Sequence, residues 1–162
     1  MDWNAAAART FGTAMKRFGS VLLLLAGCDG LPKDTQGTLD RVRHTQVVRI
    51  GVVADARPDA ASTTELAARV GKAVHAQPRL VHGAAEPLLA ALDQERLDLV
   101  IGAFAKETPW RDEVTLTPPV ARYAVGSQTL FVRAAVSNGE NRWAMLVERA
   151  ARAQAPQLAS EG

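Results

Sequence analysis

From residue 38 onward, the spacing of apolar positions switches repeatedly between a helical and a strand period. Thr38 to His44 places Leu39 and Val42 three apart behind a cap-like threonine, which predicts a short helix. Val47-Val-Arg-Ile-Gly-Val-Val53 is rich in β-branched residues and predicts a strand. The stretch 54–64, with Arg57-Pro58-Asp59 in it, reads as loop. Ser62 or Thr63 is placed to cap a second helix, with Glu65 in its first turn and Leu66, Val70 and Val74 on one face. Pro78 to His82 reads as a second strand, and Glu86-Pro87 opens a helix that should bury Leu88, Leu89 and Leu92. Leu97 to Gly102 is apolar enough for a strand covered on both faces.

Strand and helix therefore alternate, which implies parallel strands joined by right-handed crossovers. The expected fold is α/β: a three-layer sandwich with a mainly parallel sheet. Tyr123 to Val125 and Thr129 to Arg133 add further strand. A last helix should run from about Asn138 to Gln154, with Trp143, Leu146, Val147 and Ala150 on its apolar face. Residues from 155 on read as a flexible tail, and no segment repeats.

The first 27 residues have a different character. Arg9, Lys16 and Arg17 precede a ten-residue apolar run, Phe18 to Gly27, too short for a membrane span of about 20 residues. It fits the apolar region of a signal peptide. The run ends in Leu25-Ala26-Gly27-Cys28, which resembles the bacterial lipobox. That resemblance implies cleavage before Cys28, diacylglycerol and palmitate-type acylation on its thiol, and residence as a lipoprotein on the periplasmic or extracellular face of a membrane. By similarity to enteric lipoproteins, Asp29 favours the inner membrane. Met15-Lys-Arg opens a compact leader by itself, so Met1 and Met15 both stand as starts. Residues 28–37, with Gly30, Pro32 and charges, read as a tether.

Charge then changes the picture of what the domain meets. The whole chain carries a formal net charge of +2, but Asp2, Arg9, Lys16 and Arg17 all precede Cys28. The remainder is neutral, without the basic footprint that nucleic-acid binding requires. Cys28 is the only cysteine, so there is no internal disulfide, and His44, His75 and His82 are scattered without metal-ligand spacing. No cofactor, metal or nucleic-acid partner is expected.

Three segments in order resemble family 3 extracellular solute-binding proteins, the periplasmic amino-acid-binding components of ABC transporters. They are Thr38-Leu-Asp-Arg-Val-Arg followed by Val47 to Val53, then Leu88-Leu-Ala-Ala-Leu-Asp-Gln-Glu-Arg-Leu-Asp-Leu-Val-Ile-Gly102, then Thr108-Pro-Trp-Arg111 with Val114-Thr-Leu-Thr-Pro-Pro119 after it. The resemblance covers about residues 38 to 120 and implies the first lobe of a type II periplasmic binding protein, here residues 38–154. It also implies that Arg111 forks onto the carboxylate of an amino acid, a task suited to the planar paired donors of guanidinium. Thr108 would add a hydroxyl, and Trp110 lies beside the site. Arg111 also reads as a surface residue pairing with Glu107, Asp112 or Glu113, and both readings stay open.

The chain departs from the family in several places. Pro118 to Tyr123 leads within about 15 residues to the last strand and helix, leaving no room for a second lobe, a domain in its own right. The loop after the first strand lacks the family's ligand-stacking aromatic, and Ala61-Ser-Thr-Thr-Glu65 replaces its glycine-aromatic-acidic helix start. The step from Gly102 to Arg111 is one residue longer than usual. A half-cleft buries less of a ligand than a closed pocket does. Two functions follow: a tethered solute-binding lipoprotein serving a transporter permease, or an interaction module showing its lobe to a membrane sensor. An enzyme is not expected. There is no Ser-His-Asp order, paired-carboxylate motif or phosphate-binding glycine loop, and Asp55, Asp98 and Glu107 are isolated.

Overall fold

The computed structural model of the protein describes residues 34–54, 60–105 and 108–160. The expectations placed on the leader, on Cys28 and on Asp29 lie outside the described residues. The elements in order are α1 (Thr38–Thr45), β1 (Val47–Val53), α2 (Ala60–Val74), β2 (Gln77–Gly83), α3 (Ala85–Asp93), β3 (Leu99–Ala105), a 3-10 turn (Pro109–Asp112), β4 (Val114–Leu116), β5 (Ala121–Val125), β6 (Gln128–Ser137) and α4 (Asn141–Gln154).

The six strands form one sheet in the order β2-β1-β3-β6-β4, with β5 also paired to β6. β1 runs parallel to β2 and to β3. β6 runs antiparallel to β3, β4 and β5. Five strands thus point one way and β6 alone points back, so the sheet is mainly parallel in direction. β4 and β5 share one edge of β6: Leu116 opposes Ala135, and Ala121 opposes Val132. The four residues between them, Thr117 to Val120, oppose only Arg133 and Ala134, so the edge bulges there. Pro118 and Pro119 have no N–H to give the ladder, which suits an edge. Thr117 compensates, its hydroxyl accepting from the Ala134 N–H at 3.1 Å.

Alternation along the strands fills both faces. Ile50, Leu99, Ile101, Val132, Ala134 and Val136 face one way, beneath Leu66 and Val70 of α2, Val42 of α1 and Trp143 and Val147 of α4. Val53, Val100, Phe104 and Ala135 face the other way, beneath Leu88, Leu89 and Leu92 of α3. This is the expected three-layer sandwich, with α1, α2 and α4 on one side and α3 on the other. Gly51 allows α3 and the chain after it their close approach, because a Cβ there would sit 3.2 Å from Leu88 Cδ2 of α3 and 2.9 Å from Leu97 Cδ1. Trp143 is fully buried, in keeping with its place on the apolar helix face.

Two buried carboxylates tie the layers at the edge where β1, β2 and β3 begin. Asp98 Oδ1 accepts from Arg41 Nη1 at 2.8 Å and from Arg49 Nη2 at 2.7 Å, and its Oδ2 accepts the Arg49 backbone N–H at 2.7 Å. The Asp98 carbonyl accepts Trp143 Nε1 at 2.7 Å. The second is Glu140, 1% exposed, just before α4. Its carboxylate accepts the backbone N–H groups of Gln36 and, at 2.8 Å, Thr38.

Three local expectations are corrected. Thr38 does not cap α1. Gly37, at φ 66°, holds the cap position, and Glu140 from the far end of the chain satisfies the orphan N–H groups. α2 starts at Ala60, ahead of Ser62 and Thr63, and Thr63 is buried within the helix. Within the stretch expected as tail, Pro156–Leu158 instead form a 3-10 turn, and Ala155 before it and Leu158 at its end are buried in the core. The last residues of the tether are likewise fastened, since the Asp34 carboxylate accepts the Arg142 N–H at 2.6 Å.

Two predictions follow from the carboxylates. Asp98→Ala strips two guanidinium groups and one backbone N–H of their acceptor and should cost about 3 kcal/mol in urea unfolding. A loss under about 1 kcal/mol would contradict this placement. Burial alone would raise the Glu140 carboxyl, but hydrogen bonds from the Gln36 and Thr38 backbone and from the Thr38 and Thr35 side chains outweigh it and hold its pKa below 4.5. Its stabilisation is therefore present above the unfolded value and lost as pH falls through the lower folded one. Glu140→Gln should lower stability at neutral pH and flatten the acid limb of the stability profile.

Candidate functional site

The segment from β3 to β4 carries all three side chains that the sequence singles out. β3 ends at Ala105, and β4 begins at Val114 opposite Ser137, the last residue of β6. β3 and β6 are antiparallel, so the end of β6 lies at the edge where β3 begins. The connection therefore runs back from one sheet edge to the other. Pro109 opens the 3-10 turn with its fixed φ. Thr108 precedes the turn, and its carbonyl accepts the Arg111 N–H at 3.3 Å. The far end is clipped to the sheet, with Asn138 Nδ2 donating to the Asp112 carbonyl at 3.1 Å while Asn138 Oδ1 accepts the Thr115 hydroxyl at 2.8 Å.

This path separates the three side chains. Trp110 is half-buried and packs on the Leu88, Leu89 and Leu92 cluster, so it seats the turn on α3. Thr108 is half-buried and Arg111 is exposed. The turn thus places an exposed Arg111 on the α3 side of the sheet, with Trp110 packed inward. Glu107, one of the partners weighed for Arg111, and Asp55 lie outside the described residues. Asp98 is taken up by Arg41, Arg49 and the Arg49 backbone N–H, and has no acid–base role at this segment.

One residue near the segment escaped sequence reasoning. Arg133 on β6 is 6% exposed, opposes Gly102 of β3 and points to the α3 side of the sheet. Its guanidinium lies over the Phe131 ring, 4.9 Å from the centroid, and burial lowers its pKa from the usual arginine value. The available signal was a lone charge inside the apolar run Leu130 to Val136. Separately, a groove of about 320 Å³ opens at the start of β4, between Leu89, Leu92 and Asp93 of α3 and Glu113, Val114 and Asn138. Thr108, Trp110 and Arg111 do not line it. Among the described residues no group of three His, Cys, Asp or Glu could hold a metal ion, and no helix is long and apolar enough to cross a membrane.

No family model and no curated protein matches the sequence. Solved structures do match in fold. The arginine-bound form of domain 1 of ArgBP from T. maritima aligns at TM-score 0.60 and 14% identity, over 70% of this chain and 98% of that one. An amino acid ABC transporter substrate-binding protein from Streptococcus pneumoniae, bound to L-arginine, aligns at 0.61 and 5% identity, over 76% and 96%. An ancestral amino acid-binding protein, a precursor of cyclohexadienyl dehydratase, aligns at 0.60 and 12% identity, over 76% and 98%. At these identities the likeness is one of fold. The chain has the architecture of a single lobe of the amino-acid-binding solute-binding proteins, and the neighbours described are mainly binding proteins.

Proposed function

We propose that the chain is a lipid-anchored, single-lobed binding protein of the solute-binding type. On this reading it is held to the outer face of the cytoplasmic membrane through Cys28, and it meets an amino acid or other small carboxylate for an ABC transporter. Arg111 supplies the guanidinium fork, Thr108 a hydroxyl donor, and Trp110 the apolar wall and the seating of the turn. The work is binding, without catalysis. One observation carries the reading: Arg111 stands exposed on a turn that packs inward through Trp110 and is clipped to the sheet by Asn138, and a turn whose backbone is already fixed pays less ordering entropy when its side chain captures a carboxylate. Support also comes from the T. maritima domain 1, a single lobe of this fold with arginine bound. One lobe holds arginine in that structure, so a single lobe of this fold is enough to bind an amino acid there.

A thermal-shift series with amino acids and small carboxylates tests the site. A ligand at about tenfold over its Kd should raise Tm by about 3–6 °C, and Arg111→Ala should remove the rise. No shift with any carboxylate, or the same shift in Arg111→Ala, would sink the site. The anchor is tested apart from it. Radiolabelled palmitate should enter the wild-type chain and not Cys28→Ser, and the variant should leave the washed membrane fraction. Equal labelling of both would exclude lipid on Cys28.

A further inference from the structure

The domain after Cys28 is neutral as a whole, yet its two helical layers are not alike. α1 and α2 each carry two Lys or Arg against one acid, and α4 carries three against one. On the other side of the sheet, α3 and the 3-10 turn carry one base, Arg111, against the acids Glu86, Asp93 and Asp112. Among the helical elements charge is thus basic on the α4 side and acidic on the α3 side, where the strands add Arg79 and Arg133.

The basic side has a defined outer stripe. Arg142, Met145, Arg149 and Arg152 are all exposed and fall at i, i+3, i+7 and i+10 of α4, away from the buried Trp143 and Val147. Met145 is 61% exposed, more than any other large apolar side chain among the described residues. Arg142 meets Asp40 at 3.3 Å and Arg152 meets Glu148 on the same helix, both as exposed pairs. Such pairs are worth at most about 1 kcal/mol, so they can be exchanged for another anion.

The chain leaves the domain at this helix. Asp34, the first described residue, accepts the Arg142 N–H. Five residues lie between it and Cys28, and the six chain steps reach about 21 Å when fully extended. We propose that the Arg142–Met145–Arg149–Arg152 face of α4 lies on an anionic phospholipid surface, so that the bilayer reached by the tether covers the basic layer and the α3 layer with Arg111 faces away from it. The choice of this face rests on the Cys28 anchor proposed above. Its affinity for anionic lipid does not.

The test therefore uses protein without lipid: the chain from residue 28 with Cys28→Ser. This carries both hydrophobic clusters whole, since they run from Leu39 to Leu158. It should float with vesicles of equal phosphatidylcholine and phosphatidylglycerol, not with phosphatidylcholine alone, and be released at about 0.5 M salt. Arg149→Ala should weaken binding about fivefold and Arg149→Ala with Arg152→Ala about 25-fold. Arg79→Ala, an exposed base on the α3 side of β2, should change nothing. Failure to float at low salt, equal binding to both vesicles, or equal loss in Arg79→Ala would overturn the proposal. Palmitate labelling decides the anchor separately, so flotation without labelling would leave the lipid-binding face standing and remove the anchor.

Discussion

The Asp98 carboxylate is the constraint on which this fold most depends. Its side chain is fully buried while the two arginines it holds are each 31% exposed. Burying a carboxylate is costly unless its lone pairs are filled, and here one oxygen takes Arg41 and Arg49 while the other takes a backbone N–H. Through these bonds α1 is fixed to β1 and both to the start of β3. The Asp98 carbonyl adds α4 through the Trp143 indole. Glu140 closes the same edge by capping α1 from the far end of the chain. No comparable buried carboxylate ties the opposite edge, where β1 and β3 end, among the described residues.

That arrangement also accounts for the direction of β6. β6 must run against the other strands to bring α4 back to the Asp98 edge. It is reached from β5 by a two-residue hairpin, Gly126-Ser127, with Gly126 at φ 60° as such turns need. The turn lies beyond the Ala105–Leu130 pair, at the end of the sheet where β3 finishes. The chain turns there in two residues and buries Val132, Ala134 and Val136 beneath α2 and α4. Among the described residues α4, the helix after β6, thus closes the α2 side of the core, while the other side carries α3 and the turn with Arg111.

Local pattern was enough for whatever depends on local pattern. β1 runs from Val47 to Val53 as its β-branched composition predicts, and the leucines of α3 are buried as their spacing predicts. Trp143 was legible as core because it sits at i with Val147 at i+4 and Ala150 at i+7. What escaped were effects of distant residues. Thr38 looks like a cap, but the cap comes from Glu140, 102 positions on. Thr63 looks like a helix start, but α2 begins three residues earlier and Thr63 is one of its buried positions. Leu158 follows a proline in a polar stretch, and only its contacts in the α2–α4 core make it structural. For the site, the sequence named the right segment but not its route. Nothing local shows that the turn doubles back along the sheet, or that Trp110 faces inward while Arg111 faces outward. Arg133 is invisible for the same reason, since its burial is set by the register of β6 against β3.

Route and charge together give the lobe a direction. Neutrality of the domain first argues only against a nucleic-acid partner. Resolved by layer, the same residues form a basic outer face on α4 and an acidic one on α3. A charged layer beside a bilayer is not indifferent to it: anionic headgroups attract each arginine near the surface by about 1 kcal/mol, and an acidic layer is repelled. With α4 down, the tether at Asp34 enters from the membrane side and the 3-10 turn faces out. On the proposed function a ligand at Arg111 carries a carboxylate, and Asp112 and Glu113, the next two residues and both exposed, would attract a positive group on the same ligand, as an amino acid has. The face that would seat the protein on its membrane and the face that would meet its ligand are therefore on opposite sides of the sheet.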